Sequence, residues 1–243
     1  MSSLDKMESD VQEDVEYEVE DFTVGPYHFG VTTIAFMPID VLMKMGDKKV
    51  EISGQKLWCG SLGVIEYLLG NKEFVKEKTV LELGAGTGVL GMLCHRLQAQ
   101  RVILTDNDPR SLRHMVEDCD RNGVIAEVCS LDWFDSATHD NLHLERGGPG
   151  SLRIVAGDVL YKQPLLEPFM STVHSLLSKY TLSQMLLCHI PRAGIDHAAI
   201  TSLALAKGLC VEEVDPSLWR KGSCVEYSPE EDYSRAKLYL IRL

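Results

Sequence analysis

The residues most able to do chemistry sit in one short run, Leu81-Glu82-Leu83-Gly84-Ala85-Gly86-Thr87-Gly88. Glycine at every second position lets the backbone turn sharply and lets a ligand lie against it with no Cβ in the way. A dinucleotide fingerprint needs glycine at the first, third and sixth positions, and the sixth position counted from Gly84 is Val89. A phosphate-cradling P-loop needs a Gly-Lys-Ser/Thr that does not follow. The remaining pattern is an acid, Glu82, ahead of three alternate glycines. A carboxylate there repels a pyrophosphate and attracts a cation. S-adenosylmethionine, with a sulfonium, an ammonium and one carboxylate, carries net positive charge and no phosphate. Asp106 stands 22 residues beyond Gly84, where an acid binds a ribose hydroxyl pair. Nicotinamide and adenosylmethionine cofactors share that requirement, so Asp106 points to an adenosine ligand without separating them. The alternative role for Asp106 is a helix N-cap, which Asn107 or Asp108 also fills.

Charge and cysteine content narrow the class. The 243 residues hold 24 basic and 36 acidic side chains, net −12. Residues 1–21 hold nine of those acids and one base, so the remaining body is close to balanced. No Lys/Arg stripe is available to neutralise successive phosphates, which argues against a nucleic-acid partner. The acidic segment 1–22 reads as a solvated, disordered tail. It has no apolar core of a signal peptide and no arginine-rich transit pattern. Nowhere do about 18 apolar residues run together, so no membrane span is expected. Seven cysteines at scattered positions form no CxxC pair, which suits a reducing compartment, the cytoplasm or also the nucleus. No metal site is expected, because His139 and His143 lie in a polar loop.

The elements that must position these residues alternate. Residues 27–36 and 48–53 read as strands, and 58–69 as a helix with Trp58, Leu62, Ile65, Leu68 and Leu69 on one face. Strands then fall at 79–83, 101–106, 124–130, 152–159, 183–190, 208–215 and 236–243. Helices fall at 89–100, 108–123, 164–180 and 194–207. Strands alternating with helices mean βαβ units. The expected fold is α/β, a Rossmann-like, mostly parallel seven-stranded sheet with helices on both faces. A short N-terminal β/helix extension precedes it. Residues 23–243 form one domain, with leading strands and helix over 23–70 and the core over 79–243. The segments 37–47 and 134–150 read as an insertion and a long surface loop.

The run ELGAGTGVLG followed by TDNDP resembles motif I and the post-I acid of class I, seven-strand methyltransferases. Gly54-Gln55-Lys56-Leu57-Trp58 ahead of a helix, Leu131-Asp132-Trp133 after the third core strand and Asp158-Val159-Leu160-Tyr161 after the fourth resemble the family-16, lysine methyltransferase-like group. That resemblance implies S-adenosylmethionine as cofactor and a lysine ε-amine as acceptor. Its implied substrate is a protein such as a chaperone, an AAA ATPase or a translation factor, modified by a monomeric enzyme. Glu82, Gly84, Gly86 and Gly88 then shape the methionine pocket, Asp106 binds ribose, Trp133 borders adenine and Trp58 lines the site. Asp158 and Tyr161 stand at the amine entrance, Asp158 close to the cofactor as well. Each has a plainer alternative: core tryptophans, a capping aspartate, a half-buried tyrosine.

Such a reaction asks mainly for positioning and desolvation. A free lysine has a pKa near 10.4, and burial beside a sulfonium lowers it. Asp158 then orients the amine as an acceptor of its N–H, since a carboxylate by itself favours the ammonium. Histidine or small-molecule methylation, and an inactive cofactor-binding scaffold, are the alternatives.

Overall fold

The computed structural model describes residues 15–36, 53–144, 152–180, 182–222 and 230–243. The expected strand over 48–53 lies outside the described residues except for Ser53, which begins a 3₁₀ turn, and the insertion 37–47, the Gly147–Gly150 run and the tail before residue 15 lie outside them.

The leading element corrects the sequence reading. Glu16–Val24 (β1) pairs antiparallel with Tyr27–Phe36 (β2), so the acidic segment is a strand from residue 16, not a disordered tail through 22. Alternating Glu16, Glu18 and Glu20 mask the strand signal, while Phe22 and Val24 go into the core. Asp118 ties this hairpin to the domain, accepting the Thr32 N–H and hydroxyl at 2.8 Å each. A 3₁₀ turn over Ser53–Gln55 leads into helix α1, Cys59–Gly70.

The core then alternates through Thr79–Leu83 (β3), Val89–Arg96 (α2), Arg101–Asp106 (β4), Pro109–Arg121 (α3) and Glu127–Ser130 (β5). It continues with Leu152–Gly157 (β6), Leu166–Lys179 (α4), Gln184–His189 (β7), His197–Ala206 (α5), Cys210–Glu213 (β8), Glu230–Arg235 (α6) and Lys237–Arg242 (β9). The main sheet runs β5-β4-β3-β6-β7-β9-β8. β3 to β7 pair in parallel, and β9 is antiparallel to both its neighbours. Most expected elements are trimmed at their ends, among them β8, expected over 208–215 and observed at Cys210–Glu213, and α5, expected over 194–207 and observed at His197–Ala206. α2 ends at Arg96 ahead of Gln98, whose φ of 66° breaks the helix, and β5 begins only at Glu127.

Each strand sends alternate residues to opposite layers. Val80, Val102, Leu104, Val155, Leu186 and Cys188 pack under α1, α2, α3 and the hairpin. Leu81, Leu83, Ile103, Ile154, Ala156, Met185 and Leu187 pack under α4 and α5. The strand order reverses at β3, which puts a crevice at the C-terminal ends of β3 and β6. Among the described residues no helix is long and apolar enough to cross a membrane.

Candidate active site

The floor of the crevice is the glycine turn after β3. Gly84, Gly86 and Gly88 all have positive φ, of 65°, 55° and 73°, the left-handed region that L-residues adopt at a cost. Space is short as well. A Cβ on Gly84 would stand 2.9 Å from Val159 Cγ1 and 3.3 Å from Trp133 Cζ2, and one on Gly86 would stand 2.9 Å from the Gly54 carbonyl oxygen. Four segments far apart in sequence thus meet at this turn: 53–55, 84–88, Trp133 and the stretch after β6.

Asp106, at the end of β4, fastens the turn. Its Oδ2 accepts the Gly86 N–H at 3.0 Å, and its Oδ1 accepts Asn107 and Asp108 N–H at 2.8 and 3.0 Å. Burial pushes its pKa up, while those backbone donors pull it down. The helix N-cap falls to Asp108, which accepts the Arg110 N–H. A carboxylate offers about four lone-pair positions, so three backbone donors leave one, on Oδ2, for a ribose hydroxyl.

Glu82 does not face the crevice. Period-two alternation turns it to the α2 side, where it is 2% exposed and its Oε2 accepts the Gly91 N–H at 2.8 Å. It satisfies an orphan donor of the first turn of α2. Burial pushes its pKa up to about 8, against the pull of the Gly91 N–H and with a further push from Asp106. At neutral pH it is therefore mostly uncharged, and its role is to hold the turn from below, not to face a cation.

Trp58 stands at the mouth, half-buried, with its indole N–H donated to the Ser53 carbonyl at 2.6 Å. Its ring already has cationic neighbours: Arg192 Cζ and Lys56 Nζ each lie 5.4 Å from the centroid, within cation–π range. The leading turn is pinned by Gln55, whose Nε2 donates to Ser111 Oγ at 2.8 Å and whose Oε1 lies 2.8 Å from His114 Nδ1. Trp133 packs edge-on against Phe169 at 4.9 Å between centroids and lies along Gly84. It is at once a plug for the sheet end and a wall of the crevice.

Asp158 follows β6 directly. Its φ of 59° is left-handed, an uncommon backbone for a residue with a Cβ, and strain of this kind gathers at functional sites. The residue is 5% exposed. Its N–H donates to the Cys188 carbonyl at 2.9 Å, and α1 comes so close that a Cβ on Gly60 would stand 2.7 Å from Asp158 Cβ. Oδ2 accepts from Arg192 at 2.6 Å, while Oδ1, also buried, has no hydrogen-bond partner among the described residues. Burial pushes the pKa up to about 6, with Arg192 lowering it and Asp232 raising it. Tyr161 is half-buried beyond Val159 and Leu160, with Lys162 Nζ 5.2 Å from its ring.

Two contributors escaped the sequence reading. Gly60 had a usable signal, a small residue one turn into a buried helix. Arg192 had none, because its ion pair joins loops 34 residues apart.

The cradle suits a compact nucleoside with no phosphate. Glycines line the turn, indole flanks it, and one lone pair of Asp106 remains. These groups fit S-adenosylmethionine. Its methionine end would lie over Gly84, Gly86 and Gly88, its ribose by Asp106 and its adenine beside Trp133.

EEF1A lysine methyltransferase 3 of Mus musculus is 30% identical over 126 residues, half of each chain. Histone-arginine methyltransferase METTL23 of Xenopus laevis is 29% identical over 129 residues, 52% of this chain and 53% of its own. The chain spans about half or less of the length of the first curated relatives it matches. Among solved structures, the T. Thermophilus 16S rRNA N2 G1207 methyltransferase bound to AdoMet and guanosine superposes with a TM-score of 0.57 at 14% identity, covering 93% of this chain and 50% of that one. That likeness is one of fold. Residues 40–204 match the model of the lysine methyltransferase family, and the chain belongs to that family.

Proposed function

We propose that this protein transfers methyl groups from S-adenosylmethionine to the ε-amine of a lysine in a protein substrate. The observation that carries the reading is the contact between two loops. Asp158, buried and half-paired, leads a segment whose next residue, Val159, abuts the glycine turn at Gly84. An acceptor group held by Asp158 therefore lies beside a ligand held on that turn.

When bound, S-adenosylmethionine supplies an electrophilic methyl on a sulfonium that departs as a neutral thioether. The chain's own residues do the rest. Gly84, Gly86 and Gly88 give backbone contact, and Asp106 fixes the turn and offers its remaining lone pair. Trp133 and Trp58 wall the site against water. Asp158 receives an amine N–H and so turns the nitrogen lone pair toward the methyl group, with Tyr161 packed along the lysine stem. Positioning of this kind carries most of the barrier reduction for such a displacement.

The substrate class is a folded protein, with chaperones, AAA ATPases and translation factors as the leading candidates, and the enzyme acts as a monomer. Its place is the cytoplasm and nucleus, in keeping with free cysteines at 94, 119, 129, 188 and 210. The test is incubation of lysate with deuterated-methyl S-adenosylmethionine, with and without the protein, followed by peptide mass spectrometry. Label on lysine supports the reading. Label on arginine or histidine, or only in solvent-extractable metabolites, overturns it.

A further inference from the structure

The acceptor site holds a cation of its own. Arg192 leaves the end of β7 in a four-residue turn closed by reciprocal backbone hydrogen bonds with Ile195, at 3.3 and 2.9 Å, through Ala193 and Gly194 at positive φ. The turn delivers the guanidinium between the Asp158 carboxylate, 2.6 Å away, and the Trp58 ring, 5.4 Å away. The pair is sheltered, with side-chain exposures of 25% for Arg192 and 1% for Asp158. One oxygen of Asp158 is consumed and the other is unpartnered among the described residues, as is Arg192 Nε. A buried polar atom without a partner is costly, and here an acceptor and a donor are both left open where the acceptor amine has to sit.

This arrangement bears on the difficulty of lysine methylation. A lone buried carboxylate beside the acceptor attracts the ammonium and holds its proton. A carboxylate already neutralised does not, yet its second oxygen still accepts an N–H. We propose that Arg192 is a positioning residue that sets the charge of the acceptor site: by pairing with one oxygen of Asp158 it leaves the other to orient a neutral amine and removes the net negative charge that would retain the ammonium. The proposal rests on the lysine-acceptor reading above. The proton goes to solvent, and Asp158 stays ionised.

The other groups facing Asp158 do not take over this role. From β7, Cys188 is a buried thiol whose pKa burial raises well above its ordinary value, and the next residue, His189, is held near 4 by burial and is uncharged. From α6, Asp232 adds negative charge, offset by Arg235 at 3.6 Å. From α1 comes the Gly60 backbone. Lys56 stands on the same Trp58 ring as Arg192.

The experiment compares Arg192→Gln and Arg192→Lys with the wild type. The Asp158 carboxyl is titrated by ¹³C NMR, assigned through Asp158→Asn. S-adenosylhomocysteine affinity is measured by calorimetry, and kcat and KM are followed across pH. In the wild type the Asp158 midpoint is expected near pH 6, where burial places it. Arg192→Gln moves that midpoint up by about one unit or more, and the acid limb of kcat moves up with it. Turnover at pH 7 then drops about twofold for a one-unit shift and about tenfold for a two-unit shift, and recovers toward pH 9. KM for the protein substrate does not rise, cofactor affinity stays within about threefold, and Arg192→Lys restores most of the profile. An Asp158 midpoint that stays put in Arg192→Gln overturns the proposal. So does an unshifted pH profile with a raised KM, the mark of a scaffold residue. Failure of the lysine reading shows separately, as a wild-type protein that labels no lysine.

Discussion

The ends of β3 and β6 use acids in opposite ways. Around β3, Glu82 and Asp106 spend their oxygens on backbone N–H groups, of Gly91 and of Gly86, Asn107 and Asp108. At β6, Asp158 spends one oxygen on a side-chain cation and keeps the other open. Backbone donors fix a shape and cannot be displaced without unfolding the turn. A guanidinium fixes a charge and can share its partner with an incoming group. On the function proposed above, the first region holds the ligand and the second sets the charge at the acceptor amine.

The sharpest way to break this contrast is at Asp158. Asp158→Ala should lower kcat by at least about 100-fold, the cost of a misplaced nucleophile, while S-adenosylhomocysteine affinity stays within about threefold. Equal losses of turnover and cofactor binding in calorimetry would erase the distinction between the two regions. Asp106→Ala should do the reverse. Removal of a charged hydrogen-bond acceptor costs about 1.5–3 kcal/mol, a weakening of Kd by about 10- to 150-fold, seen by calorimetry before any change in saturated turnover. Unchanged cofactor affinity would show that the lone pair left on Asp106 binds nothing.

Gly60→Ala tests whether the Asp158 backbone depends on close approach by α1. The new methyl meets Asp158 Cβ at 2.7 Å and Cα at 3.0 Å, overpacking worth about 1–3 kcal/mol. Thermal unfolding should fall by several degrees, with turnover reduced more than cofactor affinity. Glu82 gives a test of a different kind, read in stability and not in turnover. Its pKa of about 8 in the folded chain lies above the ordinary 4.5, so the folded state holds the extra proton between those limits. Stability therefore falls as pH rises from about 4.5 through about 8. Glu82→Gln keeps an acceptor for Gly91 and removes that fall. The two proteins should melt together near pH 5, and the variant should melt higher at pH 9, at about 2–4 °C per kcal/mol. An equal offset at both pH values would mean that Glu82 is ionised throughout.

The sheet was readable because buried parallel strands such as Val80–Leu83 and Val102–Leu104 form short apolar runs between turn residues. β1 was not, because its exposed glutamates match a solvated tail and only pairing with β2 makes them a strand. α6 is too short to show a period. In the site, the glycine turn, Asp106, Trp133 and Asp158 were legible by position after successive strands. Glu82 was legible by type but not in role. Alternation along β3, with Leu81 and Leu83 on one layer, already turns it away from the crevice. Arg192 was invisible because an ion pair between two loops leaves no spacing to read.

The place of β9 has a consequence for how the molecule assembles. It lies between β7 and β8 although it follows both in the chain. Until β9 inserts, the margin of β7 stays open, a row of unpaired backbone groups flanked by apolar side chains, and β8 has no neighbour. Sheet closure therefore waits on long-range pairing, a slow step, and during that interval the open margin can recruit a strand from another molecule. Refolding yield should accordingly decline with concentration even where the native protein is unaffected.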